Sequence, residues 1–566
     1  MPRSSISRLV VLALVVAGSL IAWKLYERGI ALRTARIGEE IKKNLQQRNL
    51  PDDAPSRDRR TLTLVRSFYE ERGMRPAWTS GKGLDGKARQ LSEVISRAEE
   101  DALDPENYAA TNLAAHLREK TTDPQALAEV DLLCTIAALH YMSDMFDGRI
   151  SPRALEAKWA TTPRKGDLDS LLTDALHRGR VKDALLDLEP EHEEYRKLRE
   201  ARTRYAQIVA QGGWPALPPG GQLKKGDKNP SVAILRKRLA ASGDLSSKAT
   251  DADLFDEPLA QAVSRFQKCY GKDPDGVVGD TERTALNVPA EDRLRQIEVN
   301  MERWRWLPKS FGDRYLIVNI PEYILRIMED GKLALEMRVV VGKAVDPTPV
   351  FSDSLSYIVI NPDWNVPDSI VLEEIIPAVQ EDSEYLMKNR MRVVDGRGKD
   401  AHEIDADSID WSDSSSTNKV FIRQDPWEGN LLGRVKFMFP NQFDVYLHGT
   451  PVEHLFALED RGFSHGCIRI EDPVALASYL LRGHEEGDPE RIQALIDSGE
   501  TKTLRLDHPM PVHIVYFTAF VEDDGAVGFR EDIYGIDREL VEELRGAGHR
   551  KVGSASKPHR LKSSKS

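Results

Sequence analysis

Cysteine is nearly missing from this chain: Cys134, Cys269 and Cys467 are the only three in 566 residues. Three scattered thiols cannot build a disulfide framework, and the lack of any CxxC pair removes the usual zinc-site spacing. An odd count leaves at least one thiol unpaired within the chain. Positive charge is also short. Lys and Arg total 79 against 91 Asp and Glu, a formal net charge of −12. That balance argues against a general nucleic-acid binder. Apolar runs are scarce too. One stretches from Leu9 to Trp23, and no second stretch of spanning length is read after it, which excludes a multi-span membrane protein. The chain as a whole has an ordinary globular balance, 40% hydrophobic and 30% charged. At ~100–200 residues per domain, the length predicts three or four domains.

Arg3 and Arg8 precede the apolar run and Lys24 follows it. A basic start, an apolar run and a polar sequel form a signal anchor or signal peptide, placed at 1–24. The only tolerable cleavage site, Ala17-Gly18-Ser19, lies inside the run, so an uncleaved anchor is the preferred reading. Either form exports the rest of the chain. Residues 25–60 read as a charged stalk or linker, broken at Pro51-Asp52-Asp53-Ala54-Pro55-Ser56. Residues 61–211 carry helical periodicity and read as an all-helical scaffold. There Asp104 and Pro105 mark a helix start as N-cap and first helical position. A Gly/Pro linker at 212–222 leads to a compact unit at 223–290, and a linking helix occupies 291–314. From Tyr315 the period becomes alternating, with a hairpin signal at Asp330-Gly331. Residues 315–540 are therefore expected to be mostly β. A polar, acidic stretch at about 368–424 interrupts them and reads as an inserted lid or subdomain. The basic, Ser- and Gly-rich end, 545–566, reads as a disordered tail. The fold class is multidomain α+β.

Chemistry concentrates in Tyr446-Leu447-His448-Gly449-Thr450 and in Ser464-His465-Gly466-Cys467-Ile468-Arg469. Nearby cationic groups are expected to lower the Cys467 thiol toward the thiolate. His448 ends an alternating strand, where scaffolds present catalytic groups. A nucleophile needs a base within hydrogen-bond reach, and His448 serves if the intervening segment folds back. Cys134 and Cys269 sit inside apolar helical patterns and read as small buried hydrophobes. A metal site from His448, His465 and Cys467 lacks a fourth ligand at motif spacing.

These segments resemble the signature of the L,D-transpeptidases with a YkuD-type catalytic domain. The likeness extends to Lys343–Phe351, Asn361–Pro367, Asn430–Phe437, Pro511–Thr518 and Asp532–Gly535, as in the long periplasmic branch of that family. Gly226-Asp227, Val232–Arg236, Ala262–Gln267 and Asp275–Thr281 resemble a three-helix peptidoglycan-binding domain. Phe68-Tyr69, Pro76-Ala77-Trp78, Leu103-Asp104-Pro105 and Gly148–Pro152 resemble the branch's N-terminal scaffold.

The resemblance implies a peptidoglycan L,D-transpeptidase of cell-wall biogenesis, needing no cofactor and no metal. Cys467 is then the nucleophile and His448 the general base. Cys467 would attack the third residue of a donor tetrapeptide, and a diaminopimelate amine of a second stem peptide would resolve the thioester to a 3→3 bond. Gly466 and Cys467 N–H groups are candidate oxyanion donors. Ser464 and His465 would shape the loop. Arg469 would take a substrate carboxylate, or else pair locally with Glu471 or Asp472. Gly449 stands where the branch often has Asp, so its carbonyl becomes the candidate group orienting His448; Gly449 is also placed at the substrate. Tyr446 is a possible neighbour. Residues 368–424 would cap the substrate. Expected partners are stem peptides, the inner membrane through the N-terminal segment, and cell-wall synthases; the location is periplasmic, and nucleic acid is not expected. An L,D-carboxypeptidase, a lipoprotein-attaching enzyme and a non-catalytic wall-binding scaffold are the alternatives.

Overall fold

The computed structural model describes residues 3–50, 56–155, 159–160, 164, 166–246, 250–398, 400–413, 417 and 420–548. The predicted break at 51–55 and the tail beyond 548 lie outside them, as do the side chains of 3–13 and 15.

One helix, Arg3–Gln47, runs through both the expected anchor and the expected stalk. Leu14, Val16, Leu20, Ile21 and Trp23 are exposed, whereas Ile37, Ile41 and Leu45 are buried. Their four-residue spacing puts the buried three on one face, which joins the scaffold core against the helix Pro124–Asp147. The stalk reading of 25–60 is corrected accordingly: its helical second half is core, and the helix Ser56–Glu71 starts the scaffold before residue 61. Pro124–Asp147 corrects a second expectation. It is long and apolar enough, by length and composition, to cross a membrane, yet Leu127, Cys134, Ala137 and Leu139 are wholly buried in the scaffold. Its apolarity serves packing on every side.

The same helix buries Asp131, and the scaffold is built around that carboxylate. It accepts from the N–H groups of Ala77, Trp78 and Thr79 at 2.8–3.1 Å, the Thr79 hydroxyl at 2.8 Å and the Tyr69 hydroxyl at 2.6 Å. A buried carboxylate is tolerable only when its lone pairs are filled. The Pro76-Ala77-Trp78 segment thereby leads into the short hairpin β1 (Thr79–Ser80) and β2 (Gly83–Leu84). Asp104 caps its helix as expected, accepting from Glu106 N–H, but the helix is one 3₁₀ turn, Pro105–Tyr108.

The helix Glu193–Ala210, expected in the scaffold, turns its buried face elsewhere. Tyr195, Leu198 and Tyr205 pack with Ile297, Met301 and Trp304 of the linking helix Ala290–Trp306 and with Phe517 and Phe529. The middle unit has the three helices Pro230–Ser242, Glu257–Cys269 and Asp280–Leu286. They close over Val232, Leu235, Leu259, Val263 and Phe266.

Strand β3 (Trp159–Ala160) leaves the scaffold to join the main sheet at β7. That sheet comprises β4 (Arg314–Asn319), β5 (Ile324–Glu329), β6 (Lys332–Gly342), β7 (Val350–Ile360), β12 (Val435–Met438), β13 (Leu447–His448), β15 (Ile468–Ile470) and β16 (Lys502–Val515). Asp330 and Gly331 both have positive φ, as the tight β5–β6 hairpin turn requires. Because β12 pairs with both β13 and β7, the eight strands close in the order β12-β13-β15-β6-β5-β4-β16-β7. Closure leaves no free edge in the ring. β14 (Gly462–Ser464) attaches to β6, and β17 (Ala519–Val521) pairs with β18 (Val527–Phe529).

The interruption between β7 and β12 is a small subdomain. β8 (Trp364–Asn365), β9 (Met391–Val394), β10 (Glu403–Ile404) and β11 (Phe421–Gln424) form a separate sheet in the order β10-β9-β11-β8. Trp364, Val366, Ile375, Val393 and Ile422 fill its own core. It therefore begins at β8, before the expected residue 368. The last described element is the helix Ile536–Gly548, so the expected catalytic end at 540 and tail start at 545 both fall within a helix. Its Ile536 and Leu540 are buried in the barrel core.

Candidate active site

The site is a matter of register. β13 and β15 run parallel, with Leu447 opposite Ile468 and His448 opposite Arg469. β12 lies antiparallel on the other side, with Lys436 opposite His448. Side chains alternate along a strand, so Tyr446, His448, Cys467, Arg469 and Lys436 share one face. The predicted fold-back thus occurs and brings Cys467 beside the strand that carries His448.

His448 is buried, and its Nδ1 lies 2.6 Å from the Gly449 carbonyl. A carbonyl only accepts, so Nδ1 carries the proton and Nε2 keeps its lone pair. Burial, followed by the Arg469 charge, pulls the imidazole down to about 3. The Gly449 carbonyl, the candidate orienting group read from sequence, is thus the partner of Nδ1. Gly449 N–H donates to the Val435 carbonyl at 3.0 Å, and its Cβ position faces Pro473 and Gly433. Gly433 was not singled out from sequence. It has φ +64, and a Cβ there would lie 2.5 Å from the Gly449 carbonyl carbon. Only glycine lets the two backbones approach so closely.

Cys467 is half-buried, and all three cysteines are free. Burial pushes its thiol above the ordinary value, against the opposing pull of the Tyr446 N–H and hydroxyl, Lys436 and Arg469. The expected lowering is corrected: desolvation of a thiolate outweighs the neighbouring cations here. Sγ lies 4.0 Å from the Asp444 carbonyl, and the described residues show no hydrogen bond between thiol and imidazole. Cys134 and Cys269 are buried as read, with thiols pushed far up and up to about 12 respectively.

The loop before Cys467 is internally bonded. Ser464 Oγ donates to the Cys467 carbonyl and accepts from Gly466 N–H at 3.1 Å. Gly466, at φ +106, has its carbonyl held by Thr348 Oγ1 at 2.9 Å. Gly466 N–H is thus engaged and is not a free oxyanion donor. Cys467 N–H has no acceptor among the described residues. His465 points to the inserted subdomain: its Nε2 is 2.9 Å from Glu374 and 3.2 Å from Lys343 Nζ. One nitrogen cannot donate to Glu374 and accept from Lys343 at once, so the partner depends on whether Nε2 carries a proton. Glu374 sits in the π-helical turn Val371–Ile375, a distortion that is frequent at functional sites.

Arg469 makes no ion pair with either predicted neighbour. Glu471 is taken by Arg338, and Asp472 caps the helix Pro473–Leu480. Arg469 Nε is buried without a hydrogen-bond partner. Lys436, also missed from sequence, places Nζ 3.8 Å from the Tyr446 ring centroid. Burial holds its amine below the usual lysine value. A lone Lys in an alternating strand carries no motif, so only the register reveals it. Tyr446 packs edge-on to His448, ring centroids 5.6 Å apart, and contacts Cys467 and the subdomain's Trp364. No group of three or more potential metal ligands gathers among the described residues.

Family models match three segments: a scaffold domain at 63–201, a provisionally assigned peptidoglycan binding domain at 228–286 and an L,D-transpeptidase catalytic domain at 313–494. A curated Haemophilus influenzae protein, provisionally named an L,D-transpeptidase, is 34% identical over 247 residues. The match covers 44% of this chain and 49% of that protein, so the chain spans about half of its length. A solved L,D-transpeptidase from Stackebrandtia nassauensis is 14% identical, covering 53% of this chain and 96% of its own, with a TM-score of 0.20. The avibactam carbamoyl enzyme of Ldtfm is 14% identical, covering 56% of this chain and 96% of its own, with a TM-score of 0.17. Scores this low give neither structure any bearing on the site.

Proposed function

We propose that this chain, in which residues 313–494 form an L,D-transpeptidase catalytic domain of the YkuD family, is a peptidoglycan L,D-transpeptidase making 3→3 cross-links through a Cys467 thioester. One observation carries the reading. The parallel pairing of β13 and β15 sets Cys467 and His448 on one face, with Nδ1 of His448 tied to a backbone carbonyl.

The resting pair is a neutral thiol and a neutral imidazole. As Cys467 Sγ attacks the donor carbonyl, its proton passes to His448 Nε2 and a C–S bond forms. Cys467 N–H and the Lys436 ammonium face the developing oxyanion. His448 then gives the proton to the departing D-alanine amine as the C–N bond breaks. The acceptor amine attacks the thioester and gives a proton to His448 as the new C–N bond forms; the C–S bond then breaks, and His448 passes that proton to the departing thiolate. Arg469, with no carboxylate of its own, takes a substrate carboxylate. The 364–424 subdomain covers the thioester, held through Glu374 and His465 and through Trp364 on Tyr446. The peptidoglycan-binding unit brings the chain to the wall, outside the cytoplasm, with the exposed apolar helix start in the inner membrane and synthases as neighbours.

Intact-mass measurement with a carbapenem tests acylation. A covalent adduct is expected on the wild type, absent in Cys467→Ala and retained in Cys134→Ala and Cys269→Ala. A wild type that gains no mass overturns the enzyme reading in favour of a wall-binding scaffold. Muropeptide analysis with and without the gene then tests the acceptor: 3→3 dimers support transpeptidation, whereas bare tripeptides mean a carboxypeptidase.

A further inference from the structure

Far from the thiol, the scaffold, the linking helix and the 148–153 turn enclose a cavity of about 280 Å³. Six arginines line it: Arg57, Arg60, Arg149, Arg153, Arg164 and Arg305. Three are neutralised. Arg57 pairs with Asp144, Arg60 with Asp147 at 2.5 Å and Arg305 with Glu302 at 2.8 Å. Arg149, Arg153 and Arg164 have no carboxylate partner among the described residues. Arg149 and Arg164 reach only the carbonyls of Leu544 and Leu307.

The walls also hold donors with nothing to donate to. Trp306 is 3% exposed and Arg305 is 1% exposed, yet Trp306 Nε1, Arg305 Nε, Arg149 Nε and Arg164 Nη2 lack partners among the described residues. Buried polar atoms are rarely left this way. Gly148, at φ +82, keeps the indole N–H uncovered, because a Cβ there would sit 2.5 Å from Trp306 Nε1. Among the described residues Asp147 is the one carboxylate on the lining; Arg60 holds its Oδ2, while its Oδ1 has no partner.

We propose that this cavity binds a dianionic phosphate group, either free phosphate or a phosphate monoester. Three uncompensated guanidiniums match two negative charges better than the single charge of a carboxylate, and planar forks with orphaned N–H groups suit phosphate oxygens. The ligand would also fasten two parts of the molecule. Trp306 packs edge-on to Trp159, ring centroids 4.9 Å apart, and the Trp159 strand β3 pairs with β7 of the barrel. The site is independent of the transpeptidase reading.

Calorimetric titration of the full chain with inorganic phosphate, at fixed ionic strength, tests this. Saturable binding at one site is expected, with acetate much weaker. Arg164→Gln weakens it about tenfold or more, the loss of one charge-assisted hydrogen bond. Arg153→Gln, at an exposed position, weakens it without endangering the fold. Ser151→Glu, which places a competing carboxylate at the exposed rim, abolishes it. Glycerol phosphate binding more tightly than phosphate assigns a monoester as the ligand; weaker binding assigns free phosphate. No saturable heat, equal affinity for acetate, or unchanged binding in both Arg153→Gln and Ser151→Glu overturns the proposal.

Discussion

Two polar clusters show how differently this chain handles buried charge. Around Asp131 in the scaffold, three N–H groups and two hydroxyls converge on one carboxylate. The cluster is closed on itself and offers nothing to a ligand. On the barrel face, among the described residues, Arg469 Nε is orphaned, Cys467 N–H is unused, and the thiol and imidazole are unbonded to each other. A structural cluster exhausts its hydrogen bonds internally, whereas a reactive one keeps some in reserve for a substrate. The two should therefore fail in opposite ways when mutated.

Cys467→Ala gives the largest effect on function: no acylation at all, with an unchanged melting temperature. Asp131→Ala gives the largest effect on stability, a loss of about 3–5 kcal/mol because five buried donors are stranded together. Denaturant titration reads the second, and intact mass the first; a Cys467→Ala protein that unfolds, or an Asp131→Ala protein as stable as wild type, erases the contrast. Gly433→Ala comes next. The new Cβ displaces the Gly449 carbonyl and so frees His448 to turn, lowering the acylation rate about 100-fold, as misplacing a catalytic group does. Lys436→Met should slow acylation by about tenfold or more through the lost oxyanion partner, while keeping the fold.

The smallest expected effects concern pH. With the thiol raised and His448 lowered to about 3, the neutral pair persists on both sides of neutrality, so the acylation rate should stay level from mildly acid to mildly alkaline pH, without an acid limb near 6.5. A bell centred near neutrality would mean a thiolate–imidazolium pair instead. Stability should fall in acid. Glu322, held down at about 2 by Arg326 and Arg530 in spite of its burial, contributes stability above the ordinary carboxylate value, and this is lost as pH falls from there toward 2. His448 and His513, both at about 3, act in the same direction, since unfolding lets them take up protons below about 6.5. Melting temperatures between pH 7 and 3 check the sign.

Much of the catalytic segment was legible because its chemistry is local. Ser464 to Arg469 is a contiguous run, and the Gly449 carbonyl is adjacent to His448 in the chain. The misses share one cause. Lys436 and Gly433 lie on β12 or just before it and matter only through cross-strand register, which no single segment displays. The direction of the Cys467 shift was misread because the neighbouring cations are visible in sequence while desolvation is not. The stalk was misread because a charged helix hides a one-face pattern of only three residues, Ile37, Ile41 and Leu45.

Periodicity, turn pairs and linkers by themselves determined the helical scaffold, the compact middle unit and the β-rich last third. These follow from local rules of backbone geometry and side-chain spacing. The tertiary structure alone decided which polar groups stay unsatisfied: those on the barrel face and those in the arginine-lined cavity. Whether a donor finds its acceptor depends on residues tens or hundreds of positions away, brought close only by packing.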